Sequence, residues 1–227
     1  IGQMPITGQQ ITIGWGEPGV NFYFNGTIDE ALIDNNASFI PVNSLMAHWK
    51  FDEGSGNITF DSSGNNNIGT LNNGVLWTNN NISGYALQFD GVDDFVTVTN
   101  SPSLNITGNL TIQAWIYPTD NPTACCPAIV SKWDSISGIN QRSYGIVLMQ
   151  DKKVVCRVSP NGQELGLGVG SVISNNQVPI NHWTHVTGIY NGSAVKVYIN
   201  GILDNSVPYN QGIFPGNIDI GIGGNIG

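Results

Sequence analysis

The sequence predicts an all-β protein, and three observations carry that expectation. Apolar and polar residues alternate at period two in segment after segment. Turn signals interrupt these runs about every 8–12 residues, the spacing of sandwiches and barrels. Finally, 29 Asn and 29 Gly make up a quarter of the 227 residues, and both are poor helix formers and good turn formers. No segment carries a convincing helical stripe.

The clearest strand is 111–117, where Ile112, Ala114 and Ile116 face one way and Gln113, Trp115 and Tyr117 the other, with Pro118 ending the run. Segments 184–190 and 195–199 read as a hairpin about the Asn191-Gly192 turn, and Asn200-Gly201 marks a second turn. Further strands are expected at 46–52, 86–89, 95–99, 129–133, 144–149 and 154–158. Gln10-Ile11-Thr12-Ile13-Gly14 echoes Ile218-Asp219-Ile220-Gly221 at an offset of 207 residues, close to the whole chain. The start therefore reads as the tail of a previous copy in a tandem array.

Composition narrows the function classes. Seven Lys+Arg against 16 Asp+Glu give a net charge of −9, with no basic footprint for nucleic acid or an anionic membrane. Apolar residues at 40% support a core, and no apolar run of about 18 residues is present to span a bilayer. No signal peptide precedes Ile1, which reads as a processed or excised chain. Seven N-x-S/T sequons, at Asn25, Asn36, Asn57, Asn81, Asn105, Asn109 and Asn191, fit a secreted or cell-surface protein, although an Asn-rich chain generates some by chance. Adjacent Cys125 and Cys126 are poorly placed to bridge each other, so a disulfide from one of them to Cys156 is expected; three buried reduced thiols are the alternative.

Ala86-Leu87-Gln88-Phe89-Asp90-Gly91-Val92-Asp93-Asp94-Phe95-Val96 resembles the laminin-G-like, concanavalin A-like jelly-roll family. Met46–Gly56, Asp61–Asn65, Leu110–Pro118, Ile129–Lys132, Trp183–Val186 and Tyr198–Gly201 resemble its other motifs, in the family's order. The resemblance implies a two-sheet antiparallel sandwich. One piece is displaced: Phe24-Asn25-Gly26-Thr27-Ile28-Asp29-Glu30-Ala31-Leu32-Ile33 resembles the family's last strand but stands near the N-terminus. Residues 1–38 are accordingly read as the last strands of a preceding or permuted repeat, and 39–227 as the jelly-roll domain. The short connection favours folding back onto the same chain; donation to a neighbouring copy is the alternative.

The resemblance also implies a structural calcium where first and last strands meet, held by Asp29, Asp52 and Asp90, with Asp61 or Asp94. Against this stands the ordinary use of such carboxylates as turn caps. Trp49, Trp115 and Trp183 fall at family core positions, leaving Trp15, Trp77, Tyr144 and Tyr209 as candidates for stacking on a glycan. Catalysis finds little support. Glu17, Glu30, Glu53 and Glu164 are scattered, without the alternating acidic strand of the family's glucanases, and His182 and His185 flank Trp183 in a strand. The sequence is thus read as a non-catalytic extracellular module, one repeat of a cell-surface or filament protein acting in adhesion or assembly, with neighbouring copies as partners. A calcium-dependent carbohydrate-binding module and an accessory domain of a glycoside hydrolase are the alternatives.

Overall fold

A computed structural model describes residues 23–36, 44–120, 126–134, 140–164 and 168–224. The echo at 10–14, Trp15 and Cys125 lie outside the described residues. Two antiparallel sheets face each other across one apolar layer. The first contains β1 (Asn25–Asp34), β2 (Leu45–Trp49), β5 (Leu76–Thr78), β6 (Ala86–Asp90), β8 (Leu110–Pro118), β13 (Thr184–Tyr190), β14 (Ala194–Ile199) and β15 (Ile202–Pro208). The second contains β3 (Ile58–Thr59), β4 (Gly69–Asn72), β7 (Phe95–Val98), β9 (Ala128–Lys132), β10 (Arg142–Leu148), β11 (Lys153–Gly162), β12 (Ser171–Gln177) and β16 (Ile220–Ile222). The spatial orders are β15-β14-β13-β8-β1-β6-β5, with β2 also on β1, and β12-β11-β10-β9-β16-β7-β4-β3.

Strand β1 lies in the middle of the first sheet. One edge pairs with β8; the other pairs with β6 over Asn25–Ile28 and then with β2 over Ala31–Asp34. The switch between partners falls at a bulge where Glu30 has φ 50°. The extra residue shifts the inward-facing set by one, so Phe24 and Ile28 enter the core before it and Ala31 and Ile33 after it. The strand that resembles the family's last strand thus lies between β8 and the β6/β2 edge of the first sheet. Residues 23–36 share one body with the residues after the expected boundary at 38.

The alternation expected for 111–117 is present in β8. Leu110, Ile112, Ala114 and Ile116 are buried in the core, while Gln113, Trp115 and Tyr117 are half-buried on the outside. Trp49 is fully buried and spends its one donor on the carbonyl of Asn67 at 2.6 Å. Asn200 (φ 51°) and Gly201 (φ 77°) both take left-handed conformations, which makes the β14–β15 link the tight turn that Asn-Gly favours.

The expected bridge to Cys156 is not formed. Cys156 is a free, buried thiol, and the reason is the period of β11. Val154, Cys156 and Val158 point into the main core, whereas Val155 points outward and packs with Cys126 and Val147. Cys126 and Cys156 therefore occupy opposite faces of one sheet. Burial pushes the Cys156 thiol up to about 12, so it is inert as a nucleophile at neutral pH.

Gly188 on β13 supplies the space for that thiol: a Cβ there would stand 2.4 Å from the Cys156 Sγ. We expect Gly188→Ala to cost about 1–3 kcal/mol by overpacking. Adding Cys156→Ala should return part of that loss. Urea melts of the single and double variants check this; a double variant no more stable than Gly188→Ala would contradict it.

Candidate functional site

The carboxylates expected to gather at one cation separate into three groups. Asp61 is saturated by the backbone N–H groups of His48, Ser63 and Asn67 and by the Ser63 hydroxyl, so it fixes the turn after β2. Asp29 and Asp52 both reach the segment before β6. Asp29 accepts from the N–H groups of Ile82, Ser83 and Glu30, and Asp52 accepts from that of Tyr85. They brace one loop, Asp29 from β1 and Asp52 from the segment after β2.

The third group comes together. Asp90, Asp93 and Asp94 each offer an oxygen within 4.8 Å of the others in the turn between β6 and β7. Asp90 accepts from the N–H groups of Val92 and Asp93, and one oxygen of Asp94 accepts from the N–H of Asp90. The other oxygen of Asp94, a residue 3% exposed, has no hydrogen-bond partner among the described residues. Burial raises the Asp94 pKa above the ordinary carboxylate range.

The aromatic candidates are rearranged more thoroughly. Tyr144 is fully buried, and its hydroxyl donates to the Leu104 carbonyl at 2.8 Å. Tyr209 is 5% exposed, packs edge-on against Tyr190 and donates to the Gly212 carbonyl. Neither ring is open to solvent: each packs in the core, and each hydroxyl is taken by a backbone carbonyl. Trp77 is half-buried and donates to the Gly56 carbonyl.

Trp115 and Trp183, expected in the core, instead stand half-buried on the outer face of the first sheet. Trp115 packs on His185 with ring centroids 5.1 Å apart, and Tyr117 on Trp183 at 5.6 Å. The strip forms because β8 and β13 pair with Trp115 directly opposite His185. Trp183 is held at its far end by a hydrogen bond to the Asn80 amide oxygen, and burial keeps His185 below the ordinary histidine range. Gln113 continues the same face half-buried, opposite the fully buried Thr187. The result is two tilted aromatic pairs edged by the amides of Gln113 and Asn80. The strand alternation put Trp115 and Tyr117 on the face opposite Ile112, Ala114 and Ile116 without saying which faced the core; the expected burial of Trp115 came from family position, and the structure reverses it.

The sequons divide by exposure. Asn36, Asn57 and Asn109 are exposed; Asn25, Asn81, Asn105 and Asn191 are half-buried. The Asn81 amide nitrogen donates to the carbonyls of Asn79 and Gly84, while the Asn25, Asn105 and Asn191 oxygens accept from Thr119, Lys132 and the 193–194 turn. Lys132 is fully buried. It ties Asn100, the Leu104 carbonyl and Asn105 together, and burial lowers it to about 8. Beside it lies an open cleft of about 270 Å³ lined by Met46, Ser103, Asn105 and Asn109 among others.

Asp29 lies directly across the ladder from Trp115, and burial raises its carboxyl from 3.8 to about 6. Such a value suits a general acid, yet Asp29 is fully buried and both its oxygens are occupied by backbone donors. Its chemistry is structural. Because the folded value is the higher one, its contribution to stability is fully present below about 4 and lost as pH rises through about 6. A carboxyl titration by NMR should place the Asp29 midpoint near 6; a midpoint near 4 would show an open, solvated group.

A laminin G-type family model, described as the concanavalin A-like lectin/glucanases superfamily, matches residues 90–227. Among solved structures, domain 4 of AbnA, a GH43 extracellular arabinanase from Geobacillus stearothermophilus, solved in complex with arabinotriose, superposes with TM-score 0.55 at 17% identity, covering 86% of this chain and 84% of that one. The binding domain of Paraclostridial Mosquitocidal Protein 1 gives 0.57 at 18%, covering 91% and 45%, and that of botulinum neurotoxin serotype D gives 0.53 at 16%, covering 88% and 44%. These likenesses share the fold. No curated protein matches the sequence. With the two-sheet sandwich and the family model agreeing over more than half its length, the chain belongs to the concanavalin A-like lectin/glucanases superfamily.

Proposed function

We propose that this chain is a non-catalytic carbohydrate-binding module of a secreted or cell-surface protein, working in adhesion or assembly. The observation that carries the reading is the strip of Trp115, Tyr117, Trp183 and His185 on the outer face of the first sheet. Aromatic rings stack on the apolar faces of sugar rings, and neighbouring amides and hydroxyls bond their hydroxyl groups. The half-buried rings are held by their mutual packing and by Asn80, so little side-chain freedom is lost on binding. Family membership agrees, since the superfamily takes its name from lectins. The neighbour solved with arabinotriose supplies a first probe. Trp115→Ala and Trp183→Ala should each weaken glycan binding about tenfold or more, roughly 1.4 kcal/mol, whereas Trp77→Ala should change it little. A wild-type chain that binds neither arabinotriose nor any member of a broad glycan array would end this reading.

We also propose that a calcium ion sits at the Asp90–Asp93–Asp94 turn. The buried, unpartnered oxygen of Asp94 supports this, because a hard cation takes carboxylate oxygens that hydrogen bonds leave free. The Asp29–Asp52 pair is less suited, as both carboxylates already hold the 82–85 backbone. Calcium should raise the melting temperature of EDTA-treated protein, and Asp94→Asn should abolish the rise. An unchanged melting temperature would remove the proposal.

A further inference from the structure

The outer face of the second sheet holds a group of polar side chains that the aromatic strip does not use. Tracing across it, Gly221 on β16 pairs with Ser131 on β9, Ser131 with Gly145 on β10, and Gly145 with Arg157 on β11. Gly145 has no side chain, and Ser131 takes the room beside it: a Cβ there would stand 3.1 Å from the Ser131 Oγ. The Arg157 guanidinium lies 4.3 Å from the centre of the Trp133 ring, just beyond the end of β9. The Arg142 Nε stands 3.7 Å from the Glu164 carboxylate, too far for a hydrogen bond. Glu164 in turn feels the charges of both arginines and lies near the Trp133 N–H.

These groups are buried and incompletely bonded. Arg157 is 2% exposed, Trp133 4% and Arg142 8%. Trp133 Nε1, Arg142 Nε, Arg157 Nε and Glu164 Oε2 have no hydrogen-bond partner among the described residues, and neither does the Ser131 hydroxyl. Asp134, the next residue along, has interactions of its own. Leaving one buried polar group unpaired costs about 1–3 kcal/mol, and more when it is charged, so several converging on one place call for an occupant. The set is specific in its chemistry: three N–H donors, two of them cationic, against one carboxylate oxygen. A carboxylate is the acceptor that matches guanidinium N–H groups, and hydroxyl groups beside it would donate to Glu164. The least buried of these side chains, Arg142 at 9% and Glu164 at 15%, lie nearest the surface.

We propose that Trp133, Arg142, Arg157 and Glu164 form a second binding site, for a sugar bearing a carboxylate. It is independent of the strip on the first sheet and stands on the opposite side of the sandwich. The ligand carboxylate takes the arginine N–H groups and the Trp133 N–H, and a ring hydroxyl donates to Glu164. Burial lowers Arg157 to about 10, which leaves it cationic at neutral pH.

The test uses the whole chain with D-galacturonate and D-galactose, which differ in the carboxylate, followed by calorimetry and tryptophan fluorescence. Galacturonate should bind and galactose should not. Arg157→Lys keeps the charge and removes the planar fork; Trp133→Phe keeps the ring beneath the guanidinium and removes only its N–H. Each should weaken galacturonate about tenfold or more, the size of one charge-assisted hydrogen bond, and a cooperative melt shows that each variant is folded. Trp133→Phe serves alone if Arg157→Lys does not fold. Three results would overturn the proposal: no galacturonate binding at millimolar concentration, equal binding of galactose, or binding lost in Trp115→Ala and kept in both Arg157→Lys and Trp133→Phe.

Discussion

The structure depends on the pairing of one strand. Residues 25–34 supply hydrogen bonds to β8 along one edge and to β6 and β2 along the other. Without them the first sheet would divide between β8 and β6, exposing unpaired backbone on both sides and opening the core beside Leu87, Ile112 and Ile116. The chain enters this strand beside the end of the last one: the Phe24 N–H donates to the Gly223 carbonyl and Tyr23 bridges Gly224. Spatially β1 follows β16, although in sequence it comes first. An early segment thus completes a sandwich whose other strands are made later, and loop-closure entropy must be met before the sheet is whole.

Two glycines show how the sandwich accommodates large groups without distortion. Cys156 and Arg157 are neighbours on β11 and point to opposite faces. Cys156 finds its space against Gly188 across the core, and on the outer face it is Ser131 that approaches Gly145, its Oγ 3.1 Å from where a Cβ would stand. In both cases the missing side chain on one strand is what lets a residue on another approach. The same alternation separates Cys156 from Cys126.

Charge is scarce in this chain, and much of the buried charge sits at a junction. Lys132 joins the ends of three segments, and Asp29 fastens the 82–83 backbone. Asp94 closes the β6–β7 turn, and Arg157 covers Trp133. Burying each costs free energy unless a partner compensates. Lys132 and Asp29 are compensated by several hydrogen bonds each; Asp94 and Arg157 are compensated in part, and this separates bracing groups from candidate binding groups.

The all-β class and most strand positions were legible because period-two alternation and Asn/Gly turns are local properties. That Trp115 and Tyr117 share the face opposite Ile112, Ala114 and Ile116 was legible for the same reason, although Trp115 was expected in the core. The short strands β3, β4 and β5 and the edge strands β12 and β15 were not, since they carry few alternating residues and owe their pairing to neighbours. Sequence by itself also determined that residues 24–33 have the character of a closing strand. Tertiary structure alone decided where in the sheet that strand pairs, which carboxylates meet and which aromatic rings face water. Asp90 and Asp94 were in the expected calcium set and meet in one turn with Asp93, which was not; Asp29 and Asp52 are drawn off by the 82–85 backbone. Tyr144 and Tyr209 looked like surface rings in Asn/Gly-rich stretches yet fill the core. The physical reason is common to all of these: a side chain's face is set by local period, but its partners are set by strands far away in sequence that lie one ladder spacing, about 4.8 Å, to either side.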